Sequence, residues 1–269
     1  MSLCNEAVGW RKQTPSQSKQ IGYSEFENAN ETRKKGKQTK ALMSRMDNPQ
    51  AKTRRHLRTR GGTRRSHMKP IGPVKLNTDA ASAVLAPIYN TLPSTKAAGQ
   101  HNLTYGEIEW PTLKFMVSYL GNSTTKGRFY DLGCGRGRAV LYMALAGPFE
   151  QSVGIEVLPE RVSLAQQALT SLKGSIPSAG AKVRLYEASF MNPAFKYKDA
   201  RAVFLSNLSF DTETNDAIFK KLAAEMPKDS ILFCTKVPVN VVSSFEVLAV
   251  ERMPMTWTPT SDFHILRHL

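Results

Sequence analysis

Only three cysteines occur in 269 residues, Cys4, Cys134 and Cys234, far apart and without the CxxC spacing of a zinc site or redox pair. Thiols so few and so placed make neither a disulfide scaffold nor a metal centre; no metal is expected, and a reducing compartment fits. No apolar run approaches the roughly 20 residues needed to cross a bilayer, so no membrane partner is expected. The first residues show neither an apolar signal-peptide core nor a cleavage pattern, and the expectation is an intracellular protein. No internal repeat is visible, which argues against a solenoid.

Acidic residues are scarce at one end. Through Lys75 there are 18 Lys and Arg against 5 Asp and Glu, a net of +13, whereas the rest has 19 against 17, a net of +2. The basic quarter also lacks long apolar runs and is rich in Gln, Ser, Thr and Asn. It reads as a solvated, flexible arm over residues 1–76, ahead of a globular domain over 77–269. Basic side chains near phosphates release condensed counterions, so nucleic acid or a nucleosome is the natural partner, a solubilising or targeting tail the alternative. The cluster Lys52, Arg54, Arg55, Arg58, Arg60, Arg64, Arg65 favours binding, and Arg33-Lys34-Lys35-Gly36-Lys37 suits nuclear import, making the nucleus the expected location. Oligomeric state is open.

Past Pro73, Thr78 and Asp79 open an alanine-rich helical segment ending near Tyr89, with Pro87 limiting its run. Residues 93–101 read as a loop. Pro111 opens a second helix whose apolar stripe is Leu113, Met116, Val117 and Leu120. β-rich runs then alternate with helical ones: strands over 129–132, 152–157, 183–187, 202–206 and 231–235, helices opening near Arg138 and at Pro159, and one covering Ala217, Ile218, Leu222 and Met226. This is βαβ logic, an α/β fold with a mostly parallel sheet between helical layers. Residues 247–250 and 263–266, separated by a Met-Pro-rich turn, predict a C-terminal antiparallel hairpin.

The first strand ends in Asp131-Leu132-Gly133-Cys134-Gly135-Arg136-Gly137. Its glycines follow a GxGxG order with an acid at the strand end, unlike the GxGxxG turn that cradles a pyrophosphate. Glycines there let a ligand approach the backbone, and Asp131 with Gly133 suits the ammonium of a methionine tail. One strand on, Val153-Gly154-Ile155-Glu156 puts a carboxylate where Rossmann folds bind ribose hydroxyls. Two strand-end acids flanking one crevice predict a nucleoside site.

Three further segments narrow the class: Thr104-Tyr105-Gly106-Glu107 before the first strand, Ser206-Asn207-Leu208-Ser209-Phe210 after the fourth, and Thr256-Trp257-Thr258 followed by a strand with Phe263. From about Leu103 to the C-terminus the chain resembles the disruptor of telomeric silencing family, the histone H3 lysine methyltransferases that lack a SET domain. The resemblance implies a Rossmann-like, seven-stranded class I methyltransferase sheet, S-adenosylmethionine as cofactor, and a nucleosome substrate methylated on a lysine in the globular core of histone H3. It implies that Tyr105, Glu107, Asp131, Gly133, Gly135, Glu156 and Phe190 hold the cofactor, Phe190 against adenine, and that Asn207, Phe210, Trp257 and Phe263 line the lysine channel. Four positions depart from the family's pattern: Ser206 replaces an asparagine, Ser189 an acid, Arg138 a neutral amide and Phe263 a tyrosine.

Methyl transfer to an amine needs an unprotonated lysine held in line, so an apolar channel is the expected device. Two other readings stay open. A nucleic-acid methyltransferase shares fold, cofactor and charge, although Asn207-Leu208-Ser209-Phe210 lacks the Asn/Asp-Pro-Pro-aromatic run of base amino-group enzymes. The other reading is a catalytically inactive chromatin-binding module.

Overall fold

The computed structural model describes residues 75, 77–95, 106–121, 127–239 and 243–269. The expected arm, apart from Lys75, and Tyr105 lie outside the described residues.

Helix α1 (Thr78–Thr91) is capped by Asn77, whose side chain accepts from the Ala80 N–H at 2.8 Å. It runs through Pro87 and two residues past Tyr89. Proline forfeits one intrahelical bond, and the buried face of Ala81, Leu85 and Tyr89 holds the helix past it. Helix α2 (Trp110–Leu120) carries Pro111 in its first turn and buries the expected Leu113, Met116, Val117 and Leu120.

Then follow β1 (Arg128–Leu132), α3 (Arg138–Ala146), β2 (Gln151–Glu156), α4 (Pro159–Ser175), the short α5 (Pro177–Gly180), β3 (Val183–Glu187), β4 (Ala200–Leu205), α6 (Thr212–Glu225), β5 (Ile231–Cys234), β6 (Phe245–Met255) and β7 (Thr258–His268). The described residues form a seven-stranded sheet in the order β3-β2-β1-β4-β5-β7-β6. β1 to β5 pair in parallel, and β7 inserts antiparallel between β5 and β6. This is the Rossmann-like α/β sheet expected from the β–α alternation, with its antiparallel end.

The hairpin is longer than expected. β6 continues through Met253, Pro254 and Met255, and the chain turns at Thr256-Trp257. Proline is tolerated there because β6 is an edge strand, whose outward N–H needs no partner, and the register slips between Met253 and Met255.

Strand residues alternate between two cores. Phe129, Phe204, Phe233, Phe263 and Ile265 face the core shared with α1 to α4, while Tyr130, Leu132, Val203, Leu232 and Leu266 face that of α6. Helix α3 is buried from Ala139 through Ala146. A helix enclosed on every side cannot tilt without opening cavities, so the glycine turn that leads into it is held firmly over the sheet.

Candidate active site

The turn from β1 into α3 has backbone that only glycine adopts easily: φ is 82° at Gly133, 52° at Gly135 and 79° at Gly137. Gly133 and Cys134 donate to the Ile155 carbonyl at 2.8 and 3.1 Å, fastening the turn to β2. A Cβ added at Gly133 would meet nothing within 4 Å. Here the missing side chain leaves open space beside the backbone.

That space belongs to a cleft lined by Gly106, Glu107, Ile108, Asp131, Gly133, Cys134, Gly135, Arg138, Ala139, Phe204 and Ser206. Asp131, at 3% exposure, contributes a carboxylate that receives no hydrogen bond or ion pair from the described residues. Burial, and then the charge of nearby Glu156, hold its carboxyl well above the ordinary value of 3.8. The same burial, with Asp131 and Glu156 close by, pushes the Cys134 thiol up, so the cleft wall there is a neutral thiol.

Glu156 ends β2 buried, and its carboxylate is a junction. Oε2 accepts from the Gly135 N–H at 2.9 Å, and Oε1 from the Val157 and Leu158 N–H groups at 2.9 and 3.0 Å. It ties the glycine turn to the start of α4, and Oε2, with one donor so far, keeps capacity for another.

Glu107 lines the cleft, but its carboxylate is gripped by arginines. Arg136 donates from Nε to Oε1 at 2.8 Å and from Nη2 to Oε2 at 2.7 Å, and Arg138 Nη2 reaches Oε2 at 2.5 Å. The Glu107 backbone pairs with the hairpin tip: its N–H donates to Thr256 Oγ1 at 2.8 Å and its carbonyl accepts from the Thr256 N–H at 2.9 Å. Trp257 lies beside this loop, so close to Gly106 that an added Cβ would stand 2.2 Å from its Cε3 atom.

The remaining expected residues divide. Asn207 is fully buried, and its amide is consumed by the scaffold: Oδ1 accepts from the N–H groups of Thr235 and Lys236 at 3.1 and 3.0 Å, and Nδ2 donates to Asn215 Oδ1 at 2.6 Å and the Lys236 carbonyl at 2.8 Å. Phe263 is a core aromatic at 0% exposure, stacked on Phe233 with centroids 5.7 Å apart and standing 6.2 Å behind Phe204. Phe204, not Phe263, reaches the cleft. Phe190 and Phe210 sit together, centroids 6.2 Å apart, against the α6-side core.

The fold therefore collects Glu107, Asp131, Gly133 and Gly135 around one cleft, with Glu156 bonded to its turn, and none of Phe190, Asn207, Phe210, Trp257 and Phe263 lines it. The sequence reading missed Arg136 as a partner of Glu107, and Cys134, Phe204 and Ser206 as cleft wall. A usable signal was the pair of arginines heading an otherwise apolar helix, since buried guanidinium groups require carboxylate partners. No group of three or more His, Cys, Asp or Glu suited to a metal ion occurs among the described residues.

Several solved structures resemble the chain in fold. An RNA methyltransferase from Salinibacter ruber in complex with S-adenosyl-L-homocysteine is 17% identical, with a TM-score of 0.43 over 59% of this chain and 90% of that one. The putative methyltransferase yhhF from Escherichia coli is 12% identical, with a TM-score of 0.45 over 59% and 86%. The putative methylase HI0767 from Haemophilus influenzae is 12% identical, with a TM-score of 0.46 over 59% and 88%. Likenesses at this level carry no weight for substrate. No curated protein matches the chain. The family described as histone methylation protein DOT1 matches residues 85–243, which include the glycine turn, both strand-end acids, Glu107 and Asn207. That match spans more than half of the sequence, and the chain belongs to the DOT1 histone methylation family.

Proposed function

We propose that this protein transfers the methyl group of S-adenosylmethionine to a lysine in the globular core of histone H3, on nucleosomes in the nucleus. Family membership supports the coarser part, an S-adenosylmethionine-dependent methyltransferase. The observation that carries the reading is the buried, unpartnered carboxylate of Asp131 in a cleft beside a glycine turn.

The residues present fit the cofactor. Its amino-acid end bears an ammonium, for which Asp131 is the acceptor, and the open space at Gly133 admits a ligand against the backbone. Glu156 stands at the end of the neighbouring strand, the ribose position of Rossmann folds, with acceptor capacity left. Phe190 would flank adenine. Bound there, S-adenosylmethionine supplies an electrophilic methyl carbon on a sulfonium.

The protein's task is then to present a neutral amine in line. A lysine ammonium, with a pKa of about 10.4 in water, loses its proton more readily between apolar walls, because desolvation disfavours the charged form. Trp257 at the hairpin tip and Phe210 after β4 are the walls assigned here. Asn207 acts indirectly, holding the ends of β4 and β5 in register through its amide. The basic arm, outside the described residues, would contact nucleosomal DNA through phosphates, without base specificity.

Labelled-methyl transfer to nucleosomes, free histones, RNA and DNA tests the proposal, with mass spectrometry locating the product. Label in a core lysine of H3 on nucleosomes is the expected result. Label confined to nucleic acid would overturn it.

A further inference from the structure

We infer that the rim of the sheet where β3 begins is a DNA surface of the folded domain itself, with Lys173, Lys182 and Arg184 holding duplex phosphates at the end away from the cleft. The inference stands independently of the donor-site reading above.

Helix α4 ends in Lys173, Gly174 and Ser175, α5 follows as a single turn, and β3 starts at Val183. This tight reversal gathers the three cations. Lys173 lies against Gly180, where an added Cβ would stand 2.4 Å from its Cγ atom. The chain passes through Ala181 and Lys182 into β3, and Arg184 turns back, its Nη1 donating to the Ala181 and Val183 carbonyls at 2.8 Å each. Those carbonyls orient the guanidinium without neutralising it. Several other surface cations are matched by acids: Arg128 by Asp199, Lys196 by Glu225, Arg252 by Asp262 and Arg267 by Glu246. Among the described residues, Lys173, Lys182 and Arg184 form no ion pair. Lys75, with which the basic quarter of the sequence ends, stands near enough to Lys182 that its charge, after burial, lowers the Lys182 pKa. The quarter with a net charge of +13 thus meets the domain at a rim that is itself cationic.

Like charges gathered without acids between them raise a positive potential that suits a polyanion. A protein partner is disfavoured, because the exposed residues among these cations, Gly174, Ser175 and Ala181, supply no aromatic or aliphatic anchor of the kind that protein interfaces need. Tyr186, two positions beyond Arg184 and so on the same face of β3, is 44% exposed and adds a phenol, a hydrogen-bond donor used on phosphates. The place of the rim matters as much as its charge. Strands β1, β2 and β3 run in parallel, so this rim lies where they begin, whereas Asp131 and Gly133 line the cleft near where β1 ends. A duplex held at the rim leaves the cleft open, and DNA and acceptor are then engaged from different sides of the domain.

The test measures binding of a short random-sequence DNA duplex, and of polyglutamate, across a range of salt. Three full-length proteins are compared: the parent, a Lys173→Gln/Lys182→Gln/Arg184→Gln variant, and a charge-keeping Lys173→Arg/Lys182→Arg/Arg184→Lys variant. Residues 1–74 are common to all three, so the differences isolate the rim. Each phosphate contact contributes about 0.9 to the slope of log affinity against log salt, so the glutamine variant should show a slope about 2 to 3 less steep and an affinity at least about tenfold weaker at physiological ionic strength. The charge-keeping variant should retain the parent's slope, and thermal melts of all three should coincide. Equal slopes for the parent and the glutamine variant would overturn the inference, as would the same loss in the charge-keeping variant. A loss seen with polyglutamate but not with DNA would overturn it too, by making the rim a site for an acidic protein.

Discussion

Glu107 and Thr256, 149 residues apart, exchange two hydrogen bonds: the Glu107 N–H donates to Thr256 Oγ1, and the Thr256 N–H donates to the Glu107 carbonyl. Next to this pair, Ile108 bridges Met255 and the Thr112 hydroxyl donates to the Pro254 carbonyl at 2.7 Å. The end of β6 thus holds the segment that forms one wall of the cleft. Thr256→Val, which keeps the shape and removes the hydroxyl, should cost about 1 kcal/mol of stability and weaken S-adenosylhomocysteine binding several-fold, with Thr256→Ser restoring both. Thermal melts and titration check this; a variant indistinguishable from the parent would show that the hairpin does not hold the cleft.

Trp257 rests on Gly106 at 38% exposure, at the mouth of the same segment. Trp257→Ala should lower methyl transfer to nucleosomes at least about tenfold, the scale expected when a reacting group is misplaced, while cofactor affinity stays close to that of the parent. Unchanged turnover at saturating cofactor would remove Trp257 from the lysine's path.

Asn207 and Phe263 should behave as scaffold. Phe263→Ala empties a fully buried ring position and should cost about 3–5 kcal/mol. Asn207→Ala strands several buried donors and acceptors at the ends of β4 and β5, each worth about 1–3 kcal/mol when left unsatisfied. Denaturant unfolding measures both. A stable Asn207→Ala protein with lost activity would return Asn207 to the chemistry.

Asp131 gives the cleft a definite pH dependence. Burial, and then Glu156, raise its folded pKa above the unfolded value, so the folded chain retains a proton that the unfolded chain releases. That stabilising contribution is fully present below the unfolded value and is lost as pH rises through the folded one. Ligand affinity runs the other way, since the ammonium pairs with the ionised form. S-adenosylhomocysteine should therefore bind more tightly as pH rises through this window, and below it binding should release a proton. Titrations across pH should show a slope that Asp131→Asn abolishes; a flat profile in the parent would contradict it.

The sheet and the glycine turn were legible because they depend on local signals. Alternating apolar runs gave β1 to β5, and Gly133, Gly135 and Gly137 marked a turn that needs positive φ. The extent of β6 was not legible, because Pro254 signals a break unless the strand is known to be an edge. Nor was the place of Phe263, since both faces of the sheet are covered and parity alone does not say whether a ring faces a cleft or a core. The grip of Arg136 and Arg138 on Glu107 joins residues about thirty positions apart and arises only when the loop folds onto the turn.

The central claim is that Asp131 anchors a methyl-donor nucleoside in this cleft. Calorimetric titration of S-adenosylhomocysteine into the protein and into Asp131→Asn, above the carboxyl's raised pKa, tests it most directly. The account predicts a single site in the parent and an affinity reduced about 100-fold or more in the variant, the cost of leaving a buried ammonium without its counter-charge. Equal affinity for the two proteins would contradict it.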